Sequence, residues 1–197
     1  MRGNYRMTLP QITAERAEPK ARELLEGAKK QLKMVPNMYG LMANAPEVLE
    51  SYLYGYERFR KDSGFTPAEQ EVVLLTISYE NGCDYCMAAH SVIADTRSRV
   101  PTPVTDAIRA GKEIPDPRLR ALSQFTRAML TKRGRPTQED VEAFLKAGFT
   151  EKQILDVVLA IAVKTISNYT NHLFETPVDA AFKAREWKAP RSGEAAA

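Results

Sequence analysis

The sequence predicts an all-α protein of roughly eight helices. Apolar residues recur at helical spacing in segment after segment, and each such segment carries its own start or stop signal. No alternating strand pattern, Asn-Gly hairpin between apolar runs or glycine-rich phosphate loop interrupts them.

The elements follow in order. Pro19 opens a helix with Ala21, Leu24, Leu25, Ala28 and Leu32 on one side. Asn44-Ala45-Pro46 opens a second, striped by Leu49, Leu53, Tyr56 and Phe59. Thr66-Pro67-Ala68-Glu69 is a sharp start: Thr at the N-cap, Pro in the first turn, Glu where a capping box needs it. That helix runs through Val72, Val73, Leu74, Leu75 and Ile77 to Asn81-Gly82, a good stop. Another spans about Cys83 to Ala94, and Thr102-Pro103 starts a short one ending at Gly111. Arg118 to Lys132 is amphipathic through Leu119, Leu122, Phe125, Met129 and Leu130. Thr137 caps a helix ending at Gly148. Thr150 caps a longer one, Glu151 to about Phe174, whose Val, Ile and Leu content places it centrally. From Trp187 onward, WKAPRSGEAAA reads as a frayed tail.

The 197 residues suit one domain, with two small ones possible; 44% hydrophobic and 27% charged residues argue against wholesale disorder. The net charge of +3 is spread without a basic block, so no nucleic-acid partner is expected. No apolar run reaches the roughly 18 residues of a membrane span, and the first residues lack a secretory h-region. The two cysteines, Cys83 and Cys86, are too few and too close in sequence to staple a fold. A reducing cytoplasm fits best.

An internal echo exists. FTPAEQEVVLLTISYENGCDYC from Phe65 aligns with FTEKQILDVVLAIAVKTISNYT from Phe149, at an offset of 84. Tyr85 matches Tyr169, while the cysteines fall on Ser167 and Thr170. If the repeat is real, the second copy has kept the packing and lost the thiols.

The chemistry concentrates between Glu71 and His90. Cys83 and Cys86 are three apart and Cys86 and His90 four apart, so on a helix the thiols neighbour each other and the imidazole reaches Cys86. Both cysteines fall in the first turn after Gly82, where free N–H groups and the helix dipole favour a thiolate. If the helices flanking Gly82 form an antiparallel hairpin, Glu71 and His90 come level within about one turn. Glu71, beside Val72 and Val73, needs a partner, and His90 is the nearest candidate. The result is a Glu–His–Cys relay of the kind that activates thiols. Half of a zinc site, completed by His90 and His172, is the competing reading, but its spacings are unusual. Inert core thiols are another. His172 reads as structural or interfacial, and Met34, Met38, Met42 and Met87 as gap-filling core.

Glu71, eleven residues, then Cys83-x-x-Cys86-x-x-x-His90 resembles the signature of the alkyl hydroperoxidase D-like proteins of the carboxymuconolactone decarboxylase superfamily. The likeness covers roughly residues 35–182. It sets an expected domain at 35–187, after an N-terminal helical extension, 1–34, and before a flexible tail, 188–197. The resemblance implies an all-α fold, assembly into trimers or hexamers, and thiol-dependent reduction of hydroperoxides without a metal or cofactor. It implies Cys86 as the attacking thiolate, Cys83 as its disulfide partner, His90 and Glu71 as the proton relay, and a lipoyl or thioredoxin-like dithiol as reductant. The better-known members carry a second His where Tyr85 stands, so Tyr85→His is expected to speed the reaction near neutral pH if a second imidazole aids thiol deprotonation, to weaken bulky peroxides alone if Tyr85 walls a substrate pocket, and to change neither if Tyr85, like Tyr169 in the echo, only packs. Two alternatives remain at this point: a redox-sensing or structural CxxC protein without turnover, and a non-redox decarboxylase or isomerase.

Overall fold

The computed structural model describes residues 5–190. It contains nine α-helices and no strand among the described residues: α1 Pro19–Leu32, α2 Asn37–Met42, α3 Pro46–Asp62, α4 Pro67–Glu80, α5 Asp84–Ile93, α6 Thr102–Arg109, α7 Pro117–Thr131, α8 Gln138–Lys146 and α9 Glu151–Phe174. The all-α expectation holds, and the sequence signals account for most of the boundaries. Thr66, Thr137 and Thr150 each close a reciprocal capping box, with Glu69, Asp140 and Gln153. Each box satisfies N–H groups that a helix start would otherwise leave unpaired. The short α2 carries no periodic signal. All its residues from Met38 to Met42 are buried, so tertiary packing rather than amphipathic pattern makes it.

α4 is the centre of the molecule. Every residue from Glu69 to Ser78 is buried, which is why its apolar residues surround the axis instead of forming a stripe. One side packs on an aromatic column: Phe125, Phe144 and Phe149 stack with centroids 4.2 and 4.7 Å apart, and Phe149 meets Phe65 edge-on at 5.9 Å. A second apolar cluster gathers Leu25 of α1, Tyr39 of α2, Leu49 and Tyr52 of α3, and both cysteines. The N-terminal helix is thus packed into the same cluster as the thiols.

One expectation is qualified and another corrected. α9 has the bounds read from the sequence and packs against α2, α3, α4, α5 and α7, but it is not enclosed all round: Leu155, Val158, Tyr169 and Leu173 lie exposed along its outer face. Its inner face, not its overall apolarity, carries the packing. The tail expected from Trp187 is docked as far as it is described. The Trp187 indole N–H donates to the Arg109 carbonyl at 2.8 Å, and the Ala189 N–H and Lys188 ammonium bond the Asp84 carboxylate at 2.9 and 2.7 Å. Residues 191–197, the rest of that tail, lie outside the described residues.

The echo also gains a structural meaning. α4 stops at Gly82, whose φ of +63° is left-handed, and the chain turns back into α5. The position matching Gly82 is Ile166, so α9 continues straight through the equivalent point. A left-handed residue with a Cβ costs about 1–2 kcal/mol. Gly82→Ala is therefore expected to lower unfolding free energy by roughly that amount, read from urea denaturation, whereas Gly27→Ala, in the middle of α1 with open space around its Cβ, should stabilise or be neutral.

Candidate active site

The turn at Gly82 sets α4 and α5 side by side and brings the signature residues together. Cys83 is the N-cap residue of α5, not part of its first turn as expected. Cys86 is in that turn. Both thiols are free, and both are buried. His90 follows one turn later on α5. Its Nδ1 lies 2.9 Å from Glu71 Oε2, across the hairpin on α4.

Glu71 is wholly buried. Burial would push its carboxyl up. The charges and hydrogen bonds of His90 and Arg60 outweigh that and hold it below the usual carboxylate range. Arg60, from α3, donates to Glu71 Oε1 and to the Tyr56 hydroxyl at 2.6 Å, and its guanidinium lies over the Tyr56 ring, 4.9 Å from the centroid. The ionised Glu71 fixes the His90 tautomer: Nδ1 carries the proton and Nε2 is left free as a base. Burial first, then the charge of Lys164, pushes the His90 pKa down.

The two thiols are made unequal. Burial pushes Cys86 up, but a hydrogen bond from Cys83 and the charges of Lys164 and His90 pull its pKa well below the ordinary thiol value. Asn171 Nδ2, 3.3 Å from Cys86 Sγ, points another donor at it. Cys83, donating to Cys86 and buried, is pushed the other way. Lys164 is the unexpected participant. It projects inward from α9, is almost wholly buried, and its ammonium has no hydrogen-bond partner of ordinary geometry. A buried cation without an acceptor is costly, and the counter-charge nearest at hand is the Cys86 thiolate.

Cys86 and His90 share the wall of a cavity of ≈ 620 Å³ with Tyr39, Tyr52, Tyr56 and Phe182. Tyr52 and Tyr56 stack at 5.8 Å, and Tyr56 approaches the His90 ring at 6.3 Å. The cavity is largely apolar, with tyrosines clustered beside the sulfur at its wall. Tyr85 borders it too, but its hydroxyl donates to Asp179 and its ring meets Phe182 edge-on. Burial and that hydrogen bond push the Tyr85 phenol up. Its contacts fit the packing role, while its place on the cavity wall keeps a part in substrate binding open to the Tyr85→His comparison.

The structure therefore brings Glu71, Cys83, Cys86 and His90 together. It leaves His172 apart, exposed on α9 and stacked on Tyr169. Among the described residues, no group of three or more His, Cys, Asp or Glu side chains is placed to hold a metal ion. Sequence reasoning missed Arg60, Lys164 and Asn171. Only Lys164 had a signal, as the lone charge in the run VVLAIAVKTIS.

Comparison with known proteins agrees with this arrangement. Residues 46–127 match the sequence profile of the carboxymuconolactone decarboxylase family. Among proteins with curated descriptions, none matches significantly. The fold is similar to that of an uncharacterised peroxidase-related protein with an alkylhydroperoxidase AhpD core from Ralstonia eutropha JMP134, at 23% identity and a TM-score of 0.78, over 88% of this chain and 93% of that one. It is similar to another peroxidase-related protein, from Silicibacter sp. TM1040, at 21% identity and a TM-score of 0.75, over 92% and 95%. The debrominase Bmp8 shares it at 20% identity and a TM-score of 0.66, over 85% and 90%. The matched profile spans α3 to α7 with the Glu–Cys–Cys–His hairpin inside it, so over residues 46–127 the chain is similar to the carboxymuconolactone decarboxylase family, and its fold is that of the alkylhydroperoxidase AhpD core.

Proposed function

We propose that the protein is a dithiol peroxidase acting on organic hydroperoxides. The observation that carries this reading is the inequality of two adjacent thiols: Cys86 favoured as thiolate at the wall of a cavity, and Cys83 protonated beside it. Cys86 attacks the terminal peroxide oxygen, the O–O bond breaks, and Cys86 becomes a sulfenic acid. His90, held by Glu71, takes the thiol proton and returns it to the departing alkoxide. Cys83 then displaces hydroxide from the sulfenic sulfur, which leaves as water with the Cys83 proton, and the Cys83–Cys86 disulfide forms. An external dithiol of the lipoyl or thioredoxin type restores both thiols. The largely apolar lining of the cavity supports an apolar hydroperoxide over hydrogen peroxide itself.

A second reading comes from the same cavity. The debrominase with this fold has been captured with 2,3,4-tribromopyrrole. A ring of tyrosines beside a thiolate suits an aromatic halide as well as a hydroperoxide. Reductive dehalogenation also consumes two thiols, giving the arene, a disulfide and hydrogen halide. Supply of cumene hydroperoxide or a bromopyrrole to the reduced protein separates the two, since only the substrate turned over forms the disulfide.

No helix of the described residues is long and apolar enough to cross a membrane. The cytoplasm remains the proposed location. The exposed Leu155, Val158, Tyr169 and Leu173 on α9 support assembly into a trimer or hexamer that covers them.

Reduced protein treated with one equivalent of cumene hydroperoxide is expected to lose the mass of two hydrogens. Cys86→Ser should abolish peroxide consumption. Cys83→Ser should complete one turnover and leave a sulfenate at Cys86 that a dimedone probe labels; labelling of Cys83 in the Cys86→Ser protein would reverse the roles.

His90→Ala and Glu71→Gln should slow sulfenate formation by about 10²–10⁴-fold, the range for loss of a positioned acid–base group. Wild-type rates in both would remove the relay.

Lys164→Met should raise the Cys86 pKa, because a nearby positive charge favours the thiolate. The rise in thiolate absorbance near 240 nm would then move to higher pH. Peroxide oxidation, flat across neutral pH in the wild type, would fall as pH drops in the variant.

A further inference from the structure

We propose that the reductant does not use the peroxide cavity but enters through a second cleft, at Cys83, built to take a slender alkyl dithiol that carries hydrogen-bonding groups. This rests on the thiol cycle proposed above and adds to it a separate site for the second half-reaction.

The cleft measures ≈ 650 Å³ and is bordered by Cys83, Asp84, Asn171, Thr176, Val178 and Lys188. Cys86 and His90 border only the peroxide cavity, and Cys83 and Asn171 border only this cleft. Tyr85 lines both and forms the partition between them. It is held there by its hydrogen bond to Asp179, which also accepts from the Asn37 N–H at 3.1 Å. The two sulfurs of one disulfide are thus served by two different spaces.

Two polar atoms at the cleft have no partner. Asn171 Oδ1 and Thr176 Oγ1 are buried without a hydrogen bond, and their residues are only 4% and 8% exposed. Asn171 is held with its amide nitrogen toward the thiols, so its oxygen is left as an acceptor. Buried polar groups without partners are uncommon, and here two occur at one cleft. A hydroxyl or amide on the incoming dithiol would satisfy both.

The slenderness follows from access. Cys83 has no exposed surface in the reduced protein, beneath a C-terminal segment pinned by Lys188 and Ala189 to Asp84. A cysteine on the surface of a folded partner cannot reach it, whereas a chain-like dithiol can slide past the two exposed pins when they part.

Exchange chemistry also selects Cys83. A thiolate attacks a disulfide in line with the S–S bond, so it meets Cys83 from the side away from Cys86. The new bond joins the reductant sulfur to Cys83, the S–S bond breaks, and its electron pair leaves on Cys86. That is the better leaving group, since a thiol of lower pKa departs faster; Lys164 and Asn171 receive the charge. The second thiol of the reductant then attacks the reductant sulfur of the mixed disulfide and expels Cys83. Of the two protons released, one restores the Cys83 thiol and the other goes to His90 for the next alkoxide. Attack on Cys86 from the peroxide cavity would have to expel Cys83, the poorer leaving group.

The test uses the wild-type disulfide, made with diamide so that it does not depend on any peroxide. Brief exposure to 2-mercaptoethanol, an N-ethylmaleimide quench and tandem mass spectrometry locate the adduct. The expected result is mercaptoethanol on Cys83 and maleimide on Cys86, in roughly tenfold excess over the reverse, as the leaving-group preference requires. Predominant mercaptoethanol on Cys86 overturns the proposal. Two variants check the route with dithiothreitol: Val178→Trp, in the cleft, should slow reduction of the disulfide, and Ile93→Trp, in the peroxide cavity, should slow its formation by cumene hydroperoxide. Slower reduction in Ile93→Trp with none in Val178→Trp overturns the proposal as well. A wild type that forms the disulfide with diamide but not with hydroperoxide, and still takes the adduct on Cys83, keeps the cleft and removes the peroxidase reading.

Discussion

A carboxylate without solvent sits midway along a helix that is packed on every side. Glu71 cannot stay ionised there alone, since burying an unpaired charge costs several kcal/mol. The donors that hold it come from two different elements, the Arg60 guanidinium from α3 and the His90 Nδ1–H from α5. The ion cluster therefore ties three helices at one depth and fixes how α3 and α5 lie against α4. It also orients the imidazole, because a carboxylate that accepts at Nδ1 leaves Nε2 as the free nitrogen. Packing and chemistry share this one constraint: a neutral residue at 71 would release the alignment of the helices and the tautomer together.

From that fixed axis the difference between the cysteines follows. A single helical turn separates an N-cap from the third residue of the helix, yet it places the two sulfurs in distinct fields. Cys86 receives donors from Cys83 and Asn171 and faces the charge of Lys164. Cys83 gives a proton to its neighbour and receives little. Asn171 and Lys164 come from α9, the helix whose sequence echoes α4 without its break. Gly82 lets one copy fold back into a hairpin and expose a helix start to the thiols. Ile166 keeps the other copy straight, so that it runs beneath them and supplies Lys164 and Asn171.

What could be read in the sequence was local. Caps at Thr66, Thr137 and Thr150 are written within four residues each, and α9 was bounded from Glu151 to Phe174 on such signals. Glu71, Cys83, Cys86 and His90 were legible because one hairpin turn relates them, and the rise per residue suffices to place them. Arg60, Lys164 and Asn171 were not, since their approach depends on how α3 and α9 cross α4, which no spacing records. The same holds for α2, too short for a period to show, and for Trp187 to Ala189, whose polar composition reads as a tail until Asp84 and Arg109 are in place to receive it. The exposed outer face of α9 could not be read, because apolar content says how much surface wants cover, not whether this chain supplies the cover.

The buried ammonium of Lys164 has a thermodynamic reach beyond the acidity of one thiol. It is matched by a negative sulfur only while the protein is reduced. Oxidation to the disulfide removes that charge and leaves the cation facing a neutral bond, so the oxidised form is the one held at higher free energy. A disulfide whose reduced state is selectively stabilised has a raised reduction potential and gives up its oxidising equivalents readily. In the proposed cycle, the same lysine that favours the Cys86 thiolate would also keep the oxidised half from stalling, and a dithiol of modest reducing strength would suffice to return the protein to its starting state.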